Sequence, residues 1–311
     1  MRFTSRLTPS LKNDIAAAIL EFIGTTFFLL FGLGGIQATT GEDSVSKVAT
    51  GNIDRIFYIS TAMGMSLLVS AWLFFRVTGG LFNPNISLSL LLVGIIGPTR
   101  FVLYCIAQLL GAIAASYLLL GLTSSHNLSV NTGLQQGISP AQGVFIEMFI
   151  TAALVLSVLM LAAEKHQATP FAPVGIGLTL YSCHLFAVYY TGAAMNTARA
   201  FGPAVASGFS VPNHWVYWIG PFLGSLLASG FYATIKHYRY WLLNPDQASV
   251  DTRKSPEDPV EAAIAAIERQ PGASSASLTV NGDADSSSSA SRKLARASSV
   301  SMNIPPGDSF V

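Results

Sequence analysis

The sequence predicts an all-α membrane protein, with six spanning helices and two re-entrant half-helices built as an inverted repeat. Three observations predict it. The 311 residues are 51% hydrophobic and only 11% charged, less than half the roughly 25% charge of a soluble domain, so surplus apolar surface must face lipid. Six runs are long and apolar enough to cross a bilayer, which takes about 20 residues each. A block of the first half recurs 113 residues later in the second half. The same composition excludes other classes. A net charge of +1 offers no basic face for nucleic acid. Cys105 and Cys183 both sit inside apolar runs, giving neither a disulfide framework nor zinc spacing.

The spans fall at roughly 14–37, 56–75, 101–122, 141–163, 172–190 and 214–235. The first begins after Asp14 and lacks a short apolar core with a small-residue cleavage site, so it reads as a span rather than a signal peptide. Two shorter apolar stretches, 84–93 and 197–207, have Gly or Pro nearby and read as half-helices buried in protein. The expected organisation is a cytoplasmic N-terminus at 1–13, a first repeat at 14–122, an extracellular loop at 123–140, a second repeat at 141–235 and a cytoplasmic tail at 236–311. Arg2, Arg6, Lys12, Arg76, Arg100, Lys165, Lys236 and Arg239 fall on one side, whereas the 123–139 loop has neither Lys nor Arg and the 191–213 loop only Arg199. The first loop, 38–55, is mixed. This asymmetry places both termini in the cytoplasm, and the plasma membrane is the expected location. Residues 251–311 are Ser-rich with Phe310 as their only aromatic, a composition expected to be disordered apart from one helix at 258–269.

The repeat carries most of the information. Thr78-Gly79-Gly80-Leu81-Phe82-Asn83-Pro84-Asn85 aligns with Thr191-Gly192-Ala193-Ala194-Met195-Asn196-Thr197-Ala198 at an offset of 113. At the same offset Tyr104, Leu110 and Gly111 match Tyr217, Leu223 and Gly224; upstream, at a different offset, the E-x-x-x-T spacing of Glu21 and Thr25 mirrors that of Glu147 and Thr151. Each copy holds three spans. Three is odd, so the second copy enters from the opposite face, and the functional site belongs near the midplane where the copies meet.

Asn83 and Asn196 each stand at the start of a half-helix, followed by Pro84-Asn85 and Thr197-Ala198. Asparagine is a favoured N-cap, its side-chain oxygen accepting a backbone N–H, and proline at the first helical position is pre-organised. With the oxygen so held, the amide NH2 is left to donate. Opposed half-helices bring two amides and two positive dipole ends to one point. A water there accepts two hydrogen bonds and points its hydrogens outward, which breaks proton relay, while the positive ends repel cations. A lone intramembrane asparagine serves equally as helix–helix glue; the matched pair is what points to a pore. Arg199 adds a guanidinium at membrane depth, where a charge is a functional candidate.

The segments T-G-G-x-x-N-P-x and T-G-x-x-x-N-x-A-R-x-F-G-P-A, set in a six-span inverted repeat, resemble the aquaporin (major intrinsic protein) family over roughly residues 14–235. The stretch 69–82 is most similar to its fungal water channels. The resemblance implies a right-handed bundle, assembly as a homotetramer with one pore per subunit, and passive passage of water or small neutral solutes across the lipid bilayer without cofactor or metal. Two departures stand out: the family's Asn-Pro-Ala becomes Asn83-Pro84-Asn85 in one copy and Asn196-Thr197-Ala198 in the other. Both asparagines survive. Asn85 is bulkier and polar, expected to pack against the facing half-helix or narrow the midplane, and Thr197 loses proline's fixed φ.

The family's narrowest point uses four positions, which by spacing from the two asparagines fall on Met63, His184, Ala193 and Arg199. His184 and Arg199 are expected to face one another there. Met63 stands where water-selective members usually have phenylalanine; it is flexible and apolar, which leaves hydrogen peroxide and other small neutral solutes open. His184, Ala200 and the pair Tyr217-Trp218 match water-type rather than glycerol-type relatives. Glu21 and Glu147 read as structural supports whose carboxylates accept backbone N–H groups of the re-entrant loops, with proton relay as the alternative.

An enzyme reading fails for want of a metal-spaced cluster, a nucleophile elbow or a phosphate loop. A glycerol facilitator, a secondary transporter and a family member with a closed pore remain as alternatives. A transporter needs ion-coupling carboxylates at the midplane, where this sequence offers amides. In the tail, Ser298 and Ser299 follow Arg292, Lys293 and Arg296 as basophilic kinases prefer, making them candidate phosphorylation sites.

Overall fold

A backbone in hydrocarbon must satisfy its own hydrogen bonds, so each long apolar run becomes a helix. The computed structural model describes residues 9–45, 52–123, 127–247, 249–250, 255 and 258–269, and these contain helices and no strand. The chain divides into two compact units, Met1–Ser249 and Val250–Val311. The first holds α1 (Pro9–Val45), α2 (Asn52–Phe74), α3 (Pro84–Leu92), α4 (Pro98–Leu122), α5 (Pro140–Val158), α6 (Ala172–Thr191), α7 (Thr197–Ala206) and α8 (Val216–His237). The second holds α9 (Pro259–Glu268), whose first turn is closed by Asp258 Oδ1 accepting the Val260 N–H at 2.8 Å.

Six helices, α1, α2, α4, α5, α6 and α8, are long and apolar enough to cross a membrane. The order of span, span, half-helix, span is then repeated. Helix α1 overruns the apolar run 14–37 at both ends, so part of the stretch read as the loop 38–55 is helical. Hydropathy marks what lipid covers, whereas helix growth adds one bond per residue wherever nothing stops it, and no proline follows Pro9 before Val45. Helix α5 continues into one π-turn, Leu159–Ala163, closed by the Glu164 N–H donating to the Leu159 carbonyl at 2.9 Å.

Helices in lipid gain little from the hydrophobic effect between them and rely on small residues that let backbones approach. α1 crosses α4 at Gly111, where an added Cβ would stand 2.8 Å from the Phe22 carbonyl oxygen. α5 crosses α8 at Gly224, where a Cβ would stand 2.5 Å from the Met148 carbonyl oxygen. These two glycines are 113 residues apart, and so are Gly64 and Gly177. Where α2 crosses α6, a Cβ on Gly64 would lie 3.1 Å from the Gly177 oxygen and one on Gly177 2.9 Å from the Gly64 oxygen. A residue meets its own repeat mate only on the axis relating the two halves, so this crossing marks that axis. Exposed Phe31, Trp72, Phe149 and Phe231 give the unit the apolar exterior that lipid requires.

The half-helices lie inside. α3 rests on α8 and α4, and α7 lies on α4, where Gly202 brings its backbone so close that a Cβ would stand 2.4 Å from the Ala112 oxygen.

Candidate functional site

Each half-helix is launched from a loop shaped by repeat-matched residues. Asn83 (φ −153°, ψ 117°) and Asn196 (φ −154°, ψ 112°) have nearly identical extended backbones. Asn83 Oδ1 accepts the Asn85 N–H at 2.9 Å, and Asn196 Oδ1 accepts the Ala198 and Arg199 N–H groups at 2.9 and 3.3 Å. Pro84 supplies the first residue of α3, and Ala198 is fully buried in α7. The residues just before, Phe82 (φ 51°) and Met195 (φ 52°), are left-handed. For bulky side chains that conformation costs about 1–3 kcal/mol and persists only where the surroundings enforce it.

Two buried carboxylates do the enforcing. Glu147 Oε1 accepts Thr191 Oγ1 at 2.6 Å and the Ala194 N–H at 3.0 Å, and its Oε2 accepts the Met195 N–H at 2.9 Å. Glu21 Oε1 accepts the Phe82 N–H at 2.5 Å and Gln108 Nε2 at 2.9 Å. The tyrosine hydroxyls repeat as well: Tyr104 donates to the Thr78 carbonyl at 2.9 Å and Tyr217 to the Thr191 carbonyl at 2.8 Å. Loop entry and loop exit are thereby pinned in both copies.

The asparagine amides cross over. Asn83 Nδ2 donates to the Met195 carbonyl and Asn196 Nδ2 to the Phe82 carbonyl, each at 2.8 Å. One N–H of each amide is thus committed to the opposite loop, so each amide keeps a single N–H to offer where the sequence alone leaves two. The partners are 112 and 114 residues away, so only the fold brings them together.

Three cavities lie in series. A narrow waist of about 10 Å³ has Asn83, Asn196, Met63, Arg199 and Leu180 in its wall. A vestibule of about 440 Å³ shares Arg199 with the waist and is lined by Arg55, Asn131, Gln135 and Tyr189. An opposite vestibule of about 450 Å³ shares Leu67, Leu81 and Ile86 with the waist and includes Arg76 and Lys165.

Met63, 1% exposed, sits against Gly32, its sulfur 2.7 Å from where a Cβ would be. Arg199, 2% exposed, donates from one terminal nitrogen to the Val130 carbonyl at 2.9 Å, and its Nε has no protein partner. His184 is fully buried on α6; its Nδ1 lies 2.9 Å from the Leu180 carbonyl oxygen and its Nε2 has no protein partner. Ala193 (φ 48°) donates its N–H to Thr191 Oγ1 at 3.2 Å. The structure therefore brings Met63, Arg199, Asn83 and Asn196 into one wall, with His184 and Ala193 buried outside that lining. Asn85 and Thr197 also lie outside it and bond to each other instead.

Two contributors escaped the sequence reading. Gln108 is fully buried, bridging Glu21 to Ser87 Oγ at 2.9 Å and so to α3; a glutamine in mid-span was a usable signal. Val130 contributes only a carbonyl, which no side-chain pattern announces. Ser298, Ser299 and the disorder read for the tail beyond 269 fall outside the described residues. Among the described residues no group of three His, Cys, Asp or Glu is placed to hold a metal.

Six membrane-crossing helices, with two half-helices meeting end to end at a buried waist between two vestibules, define a polytopic membrane channel. The chain belongs to the major intrinsic protein family, whose profile matches residues 9–232. It is 74% identical over 255 residues to Aquaporin-1 of Laccaria bicolor, covering 82% of each chain. It is 46% identical over 239 residues to Aquaporin-2 of Botryotinia fuckeliana, covering 76% of this chain and 63% of that one. The solved aquaglyceroporin of Plasmodium falciparum shares the fold, with a TM-score of 0.63 over 75% of this chain and 99% of that one at 18% identity.

Proposed function

We propose that this chain is a passive water channel of the plasma membrane. The waist carries the reading. Its volume of about 10 Å³ is about what one water molecule needs, and its wall combines the amides of Asn83 and Asn196 with apolar Met63 and Leu180. A water held there accepts hydrogen bonds from the spare N–H of each amide, which directs its hydrogens outward along the pore and breaks proton relay. The N-terminal ends of α3 and α7 add partial positive charge and Arg199 a full one, which exclude cations.

In this reading Met63 and Arg199 line the filter, with the unpartnered Nε of Arg199 available to a passing oxygen, and His184 and Ala193 complete it from behind that lining. Glu21 and Glu147 hold the loops. Hydrogen peroxide passes with water, being small and neutral. The Arg199-side vestibule faces outward, and the side carrying Arg76 and Lys165 faces the cytoplasm together with both termini. The subunits assemble as a homotetramer of independent pores. The fungal relatives carry the name aquaporin, which supports a channel.

Stopped-flow light scattering on proteoliposomes holding the full chain tests this. Water flux should rise in proportion to the osmotic gradient, need no ion gradient and exceed that of empty vesicles, with glycerol flux near background. Glycerol flux rivalling that of water identifies a solute facilitator. Flux that requires an ion gradient overturns the channel reading.

A further inference from the structure

We infer that Asn85 and Thr197 are a positioning pair: the hydrogen bond between them fixes how the N-termini of α3 and α7 meet, and so aims the Asn83 and Asn196 amides into the waist. The inference deepens the proposed function, resting on the waist as the water path. Asn85 is 5% and Thr197 4% exposed, so neither polar group has bulk water to fall back on. Asn85 Nδ2 donates to Thr197 Oγ1 at 3.0 Å, and Thr197 Oγ1 donates in turn to the Tyr217 carbonyl of α8 at 3.1 Å. The threonine hydroxyl has a single hydrogen, spent on Tyr217, so its lone pair is what Asn85 meets. The Asn85 carbonyl accepts Ser225 Oγ at 2.9 Å, tying α3 to the same helix α8.

Each partner adjoins a pore asparagine. The Asn85 N–H caps on Asn83 Oδ1 at 2.9 Å, and Thr197 is covalently next to Asn196. The repeat mates of these two residues are Ala198 and Pro84, which have no side-chain group to pair, so this bond occurs on one side of the pseudo-axis only. The two departures from the family motif are therefore one change. Thr197 gives up the fixed φ that proline would supply, and the tertiary bond from Asn85 replaces that restraint. Asn85 facing a proline would instead leave a buried donor unpaired, the costly half of any hydrogen-bond deletion. Neither side chain lines the waist, so both act through Asn83 and Asn196.

A double-mutant cycle in the reconstituted full chain tests the pair: Asn85→Ala, Thr197→Pro and the two together, with Thr197→Ser retaining the hydroxyl. Three quantities are read: water permeability per channel, proton leak followed by a trapped pH-sensitive dye, and melting temperature in detergent. Each single change should lower water permeability about fivefold, the scale of coupling between contacting residues, and raise proton leak. The double variant and Thr197→Ser should return both close to native. Should Thr197→Pro not fold, Thr197→Val removes the hydroxyl at constant shape and takes its place in the cycle. Additive effects on permeability and leak overturn the inference. Coupling in melting temperature alone also overturns it, because the pair would then brace the fold without aiming the amides. A native chain that moves no water fails earlier, at the waist itself, and takes the inference with it.

Discussion

Met63 puts a flexible thioether in the same wall as Arg199, where a planar ring would define a fixed width. Met63→Phe should therefore leave water flux largely intact, keep glycerol near background and cut peroxide passage about tenfold, the scale of a small steric change in an apolar pocket. Stopped-flow measurements of the three solutes check this, and no change in any of them removes Met63 from the filter. Glu164 poses a different single-residue question, just past the π-turn. Lys236 Nζ and the Tyr232 hydroxyl both donate to its Oε1. Burial pushes its carboxyl up, but those donors more than offset it and hold it below the ordinary 4.5. A depressed carboxylate contributes stability that is fully present above its unfolded value and lost as pH falls through the lowered one. The melting temperature of the detergent-solubilised protein should accordingly drop on acidification below about 4.5, and Glu164→Gln should flatten that part of the profile. Parallel profiles for the two proteins would show that the cluster is inert.

Helix α8 carries a matched experiment at the scale of an element. Gly224 and Gly230 lie six residues apart in it, yet a Cβ at Gly224 would stand 2.5 Å from the Met148 oxygen and 2.7 Å from Thr151 Cβ, whereas Gly230 has nothing within 4 Å. Gly224→Ala should overpack the α5–α8 crossing at a cost of about 1–3 kcal/mol, and Gly230→Ala should be neutral or slightly stabilising. Thermal melts compare the two; equal effects would mean that backbone contact does not set the crossing. Not every element was equally legible. The half-helices could be read because Asn caps and Pro84 announce a start. The length of α1 could not, since hydropathy sees lipid contact and not helix propagation. The π-turn at Leu159–Ala163 has no local signature in Leu-Met-Leu-Ala-Ala.

At the scale of the whole molecule, the compact unit Met1–Ser249 contains every residue of the waist and both vestibules. Deleting residues 251–311 should thus leave water permeability per channel unchanged in proteoliposomes; a large loss for correctly folded protein would assign the tail to the pore. The fold class was legible because the bilayer imposes a length, a composition and a rule about backbone bonds on any chain that crosses it. The 113-residue offset then made the halves comparable, and an odd number of spans inverted them. By itself, then, the sequence determined the six apolar spans, the two asparagines that open the half-helices and Arg199 three residues past the second of them. Tertiary structure alone decided which acceptor takes one N–H of each asparagine, that the Val130 carbonyl holds Arg199, that Gln108 extends the Glu21 support, and that Asn85 answers Thr197. The physical reason is common to all four. Local pattern records what one segment requires of lipid and of its own backbone, whereas a hydrogen bond between residues some 70 to 114 positions apart exists only once distant helices and loops have packed on one another.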